Sequence, residues 1–170
     1  MAKRRKNSFP IIPLLTVASC ILGLVAVVMI FLPTIGIKDT NKTYTGLQIA
    51  FGYSNETLGV KTTVFNFSFM NLLTYILALA GTVVALLGLV KNQFAGALFR
   101  FIAAGCFIVS AVFFFLSINF CLPNETASSI TSILGGNIKE AGSLAAGAII
   151  GGITAGLAGL CELAAVFLKK

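Results

Sequence analysis

The chain has 170 residues, 58% of them hydrophobic and only 10% charged, with 12 Lys and Arg against 5 Asp and Glu and no His or Trp. With a mean hydropathy of +1.01, this excludes an ordinary soluble domain, where about a quarter of the residues are charged. The formal charge of +7 is not a nucleic-acid signature, because no aromatic platform interleaves with the basic residues; without His, a His-ligated zinc site and His acid–base catalysis are also excluded.

A hydrocarbon core of roughly 30 Å is crossed by about 20 apolar residues rising 1.5 Å each. Four stretches meet that requirement: 10–32, 69–90, 97–119 and 142–168. The expectation is an all-α membrane protein, one four-transmembrane-helix bundle over residues 1–170, with a small extracytoplasmic β-hairpin between helices 1 and 2.

Residues 1–9 carry Lys3, Arg4, Arg5 and Lys6. A basic start followed by an apolar run also describes a secretory signal, but a signal's apolar core is about 7 to 15 residues, and here the run continues past Cys20 through "ILGLVAVVMIFL". Retention as a first span is therefore expected over cleavage or lipidation at Cys20. Lys91 and Arg100 flank the turn at 91–96, and Lys169 and Lys170 close the chain. Positive residues concentrate on cytoplasmic flanks, so both termini are expected in the cytoplasm of a multi-pass cell-membrane protein.

Segment 33–68 falls on the opposite side. Leu47, Ile49, Phe51 and Tyr53 alternate with smaller or polar residues, as do Thr63, Phe65, Phe67 and Phe69. A period of two is that of a strand with one covered face, so an antiparallel hairpin turning at "SNETLG" is expected, with a further short strand at 35–38. Its apolar residues Leu47, Ile49, Phe51, Tyr53, Phe65 and Phe67 would rest on the helices or on a partner, since two strands alone are marginal.

Segment 120–141 is more polar. Ile130, Ile133, Leu134 and Ile138 recur at helical spacing beside Gly135 and Gly136, compatible with a short interfacial helix or an irregular loop. Asn41, Asn55, Asn66 and Asn124 begin Asn-x-Ser/Thr triplets in these outer segments, acceptor sites only in a host that glycosylates. Cys20, Cys106 and Cys161 lie in expected spans, and no Cys-x-x-Cys pair for thiol exchange is present.

The last span is rich in small residues. Ser143, Gly147, Gly151, Ala155 and Gly159 recur every four residues, with Gly152 and Gly156 beside them. Such a stripe lets another helix approach closely in lipid; its complement is expected in Phe113, Phe114 and Phe115 of the third span or Leu22 and Val25 of the first. A second chain or a narrow pathway would use the same stripe. Glu162 lies about 9 Å inside the end of this span, and Arg100, at a comparable depth with a stem able to snorkel, is its expected partner in an ion pair at the inner interface. A coupling role for Glu162 in transport is the alternative.

Four spans with both ends inside, a larger strand-forming first outer segment and a smaller second one resemble the layout of the claudin family. That resemblance implies a four-helix bundle carrying an outer sheet. The family's signature of Gly-Leu-Trp and two cysteines is replaced here by Gly46-Leu47-Gln48 without the tryptophans or the cysteine pair, so adhesion and barrier functions are not carried over. No catalytic, cofactor-binding or metal-ligating constellation is legible. The expected role is that of a non-enzymatic structural or accessory subunit whose partners are the bilayer and a membrane protein or a second copy, with a small oligomeric transporter or channel as the alternative.

Overall fold

The computed structural model describes residues 11–38, 42–57, 60–90, 93–124 and 142–168. The N-terminal basic cluster, the expected interfacial helix around 130–138, Asn41 and the terminal lysines lie outside the described residues.

Among the described residues, four helices are long and apolar enough to cross a membrane. They are α1 (Ile11–Val28), extended by a 3-10 turn at Met29–Phe31; α3 (Phe69–Leu87); α4 (Gln93–Phe115); and α5 (Ala146–Phe167). A short helix, α2 (Gly46–Phe51), lies in the first connecting segment. The long helices close a ring in which α1 and α4 each pack against α3 and α5.

Two small antiparallel sheets form a lobe at one end of this ring. Strands β1 (Pro33–Ile37), β2 (Lys42–Thr45) and β5 (Gly142–Leu144) make a sheet in the order β2-β1-β5, while β3 (Tyr53–Thr57) and β4 (Val60–Phe65) make a hairpin. The bulge between Pro33 and Ile35 leaves Thr34 without a partner in the β1–β2 register. Thr34 is buried, with its hydroxyl 3.3 Å from the Tyr75 hydroxyl on α3. Ile35, Tyr44, Ile49, Phe65 and Cys121 form the lobe's own core, in which Tyr44 meets Phe65 edge-on with centroids 4.8 Å apart. Burial there lifts the Tyr44 phenol above its ordinary pKa, and the neighbouring Tyr53 adds to the effect.

Several boundaries differ from those expected, and three of the differences have a visible cause. Residues 46–51 are helical, so Leu47, Ile49 and Phe51 belong to α2 rather than to a strand; Tyr53 starts β3, Phe65 ends β4 and Phe67 follows it. The alternation was outweighed by local capping: the Thr45 hydroxyl accepts from Gln48 N–H and the Gln48 side chain accepts from Thr45 N–H, a capping box that satisfies two amides left over at a helix start. Gly46, Ile49 and Ala50 then face inward at helical spacing, and Gly52, at φ 88°, ends the helix in a backbone region that suits glycine. The strand anticipated near 35–38 is present as β1, paired with β2 and β5 rather than with the hairpin.

Second, Ser143 lies in β5, not in the last helix; its hydroxyl donates to Gly36 O at 3.2 Å. Third, α4 runs over Gln93–Phe115 instead of 97–119. Gly96 reads as a turn residue, yet it sits in the helix, where a Cβ would come within 3.0 Å of Gly88 O; its smallness allows the first turn of α4 to approach the end of α3.

The bundle is more apolar outside than inside. On α1 the exposed residues include Ile11, Leu14, Val17, Ile21, Leu24 and Val28, whereas Thr16, Ser19, Cys20, Gly23 and Ala26 are buried. Its interior is organised by two fully buried rings of α4, Phe107 and Phe114. A Cβ on Gly23 of α1, Gly81 of α3 or Gly159 of α5 would meet Phe107 at 2.6, 3.0 and 3.4 Å respectively. Phe114 occupies the equivalent place two turns nearer the lobe, clustered with Ala26, Tyr75, Ala78, Ala111 and Ala155. Phe107 is thus met by glycines from three helices, and Phe114 packs edge-on against Tyr75 among alanines and Met29, which brings the backbones close and adds dispersion contact.

Candidate functional site

Three places collect the residues singled out in the sequence: the small face of α5, the polar cluster near its end, and the lobe.

Along α5 the small residues meet different neighbours. A Cβ on Gly147 would come within 2.7 Å of Pro33 O, so this position faces the start of β1. A Cβ on Gly151 would come within 2.5 Å of the Phe114 ring and one on Gly152 within 2.8 Å of the Phe115 ring. Ala155 is fully buried in the Phe114 layer. At Gly156 a Cβ would find only Ala111 Cβ, at 3.8 Å, an ordinary contact, whereas at Gly159 it would meet Ile108 Cγ1 at 3.0 Å. Of the complements considered from sequence, Phe114 and Phe115 fill the stripe; Leu22 and Val25 pack at the margins of the two bundle clusters. The role of Phe107, and of Gly23 and Gly81 against it, went unread. The available signal was the seven-residue separation of Phe107 and Phe114, which places both on one helix face among Ala103, Ala104, Ser110 and Ala111.

Glu162 is fully buried. Its carboxyl Oε1 is in hydrogen-bonding contact with Ser19 Oγ of α1, and Ser19 Oγ lies 2.8 Å from Thr16 O. Arg100 is within electrostatic reach of Glu162, yet Arg100 Nε and Glu162 Oε2 are both buried and without a hydrogen-bonding partner. The direct contact expected from Arg100 is therefore supplied by Ser19, a residue with no sequence proximity to signal it. Packing explains the substitution: the Arg100 stem runs against Gly88 of α3, while the α1–α5 seam brings Ser19 onto the carboxyl. The thiols of Cys20 and Cys161 also lie within electrostatic reach of Glu162, and Cys20 Sγ is 3.9 Å from Thr82 O.

In the lobe, an open cleft of about 200 Å³ is lined by Lys42, Thr43, Tyr44, Gln48, Tyr53 and Asn55. Leu47, Phe51 and Phe67 do not line this cleft and are exposed, with the two phenylalanine rings 6.5 Å apart. Among the described residues no group of three His, Cys, Asp or Glu is placed to hold a metal ion. No protein-family model, curated protein or solved structure matches this chain.

Proposed function

We propose that this chain is a non-enzymatic integral membrane protein, a structural or accessory subunit whose lobe engages a partner. The bundle lies in the bilayer with both termini on the cytoplasmic side and the lobe on the opposite face. The observation that carries the membrane reading is the inverted polarity of the bundle: a surface of Ile, Leu, Val and Phe over an interior of Gly, Ala, Ser and Thr suits hydrocarbon rather than water. The interaction role is supported by the lobe, which has its own core and still exposes Phe51 and Phe67.

The test is purification of the full chain in mild detergent. A stoichiometric partner is expected, released by Phe51→Ser combined with Phe67→Ser; a chain that purifies alone, or a partner indifferent to both substitutions, overturns the interaction role. Labelling of cysteines introduced at the two termini checks the topology, and termini on opposite faces would refute it. A second reading, a small oligomeric transporter, is favoured by one observation: a fully buried carboxyl with an unbonded oxygen. Proton-driven uptake in vesicles that vanishes in Glu162→Gln would establish it in place of the first.

A further inference from the structure

We propose that Glu162, Ser19 and the Thr16 carbonyl form a proton-binding site sealed between α5 and α1, occupied in this structure, in which Glu162 donates to Ser19 and Ser19 donates to Thr16. This goes beyond both functional readings and needs neither.

The argument is a count of protons. Ser19 Oγ touches two oxygens, Glu162 Oε1 and Thr16 O, the latter at 2.8 Å. A serine hydroxyl has one proton to donate, and a backbone carbonyl has none. If Glu162 were a carboxylate, a single proton would have to be shared between two oxygen–oxygen contacts, a three-centre arrangement that satisfies each less well than a bond of its own. With a proton on Oε1 there are two contacts and two protons: Glu162 Oε1–H donates to Ser19 Oγ, and Ser19 Oγ–H donates to Thr16 O. The Thr16 carbonyl accepts this through its second lone pair while keeping its helical bond to the amide four residues on.

The surroundings agree with the neutral form. Oε2 is buried without a donor, a modest loss for the carbonyl oxygen of an acid and a severe one for a carboxylate, whose buried charge requires hydrogen bonds or a paired cation. Among the described residues, the charged or titratable groups that the packed elements bring within reach are Cys20 on α1, Arg100 on α4 and Cys161 on α5 itself. Arg100 is the cation among these described groups, and its Nε is not bonded to Glu162. Loss of the proton to a base turns the Ser19 hydroxyl from Thr16 O to Oε1, breaks no backbone bond and leaves Oε2 to draw Arg100 across. The seam between α1 and α5 thus has two hydrogen-bonded states that differ by one proton and one hydroxyl rotation.

Infrared spectroscopy of the full chain in liposomes at pH 7 tests this. An ordinary glutamic acid is protonated there in roughly 1 molecule in 500, so one neutral carboxylic acid per chain is a rise of more than about 100-fold. The expected result is an acid carbonyl band, shifted by carbon-13 glutamate labelling and lost in Glu162→Gln. That variant retains a donor to Ser19 and so keeps the fold. Ser19→Ala removes the acceptor and moves the band to higher frequency, which a merely space-filling serine would not do. Absence of the band at pH 7, or a band unmoved in Ser19→Ala, overturns the proposal. If Ser19→Ala does not fold, the acid carbonyl band of the wild-type chain decides the matter: a band at pH 7 that shifts with carbon-13 glutamate labelling supports the site, and its absence refutes it.

Discussion

Polar groups are secured in different ways at the two ends of the molecule. In and beside the lobe they are tied to nearby backbone: Ser68 donates to Phe120 O at 2.6 Å and caps α3 through Asn71 N, Asn66 N–H donates to Leu122 O, and Thr45 with Gln48 caps α2. At the opposite end Glu162 reaches Ser19 across 143 residues of sequence, and its second oxygen and Arg100 Nε remain unbonded. The lobe end is satisfied by separate bonds to backbone, some local and some spanning 52 residues, as from Ser68 to Phe120, so that each can be lost piecemeal. The far end is held by contacts that exist only when all four helices close around Phe107.

The sharpest way to break that contrast is to remove the ring at the centre. Phe107→Ala is expected to cost about 3 to 5 kcal/mol, the range for large buried aromatics, and to lower the midpoint of the whole helical circular-dichroism transition. Phe65→Ala removes an equally buried ring from the lobe core but should open the lobe alone, seen as faster amide exchange over residues 33–65 with the bundle transition little moved. Loss of both regions together in Phe65→Ala would show that lobe and bundle are a single cooperative unit.

A smaller effect comes from overfilling. In Gly23→Ala the new methyl would lie 2.4 Å from Thr82 Oγ1 and 2.6 Å from Phe107, so α1 must shift, at a cost of about 1 to 3 kcal/mol. Gly156→Ala meets only an ordinary contact and should leave the thermal midpoint unchanged in the same assay. Equal effects of the two would show that general backbone flexibility, not ring packing, explains the glycines.

The smallest effect separates local capping from tertiary support within the lobe. Thr45→Ala should cost about 1 kcal/mol, the usual worth of an N-cap, read as faster exchange at Gln48 N–H and its helical neighbours. Unchanged exchange there would mean that the inward packing of Ile49 and Ala50 alone holds α2.

Much of this was legible before any coordinates. The four apolar stretches mark helices of the right number and approximate extent because an unbroken run of about 20 apolar residues is an unambiguous length signal. The rest was harder to read for identifiable reasons. Leu47, Ile49 and Phe51 fit a period of two, but the same residues with Gly46 and Ala50 also fit a helix turn, and the Thr45–Gln48 capping box decided between them. Gly142–Leu144 joined a strand because β1 offered it an edge, which no local property of "GSL" announces.

The sequence by itself therefore determined where the long apolar helices run and that small residues dominate the last of them, since both depend on the composition of contiguous stretches. Tertiary structure alone decided which rings those small residues accept, and that Ser19 rather than Arg100 touches Glu162. Those partners are chosen by how the helices rotate and slide against one another, and that geometry is a property of the closed bundle rather than of any one segment.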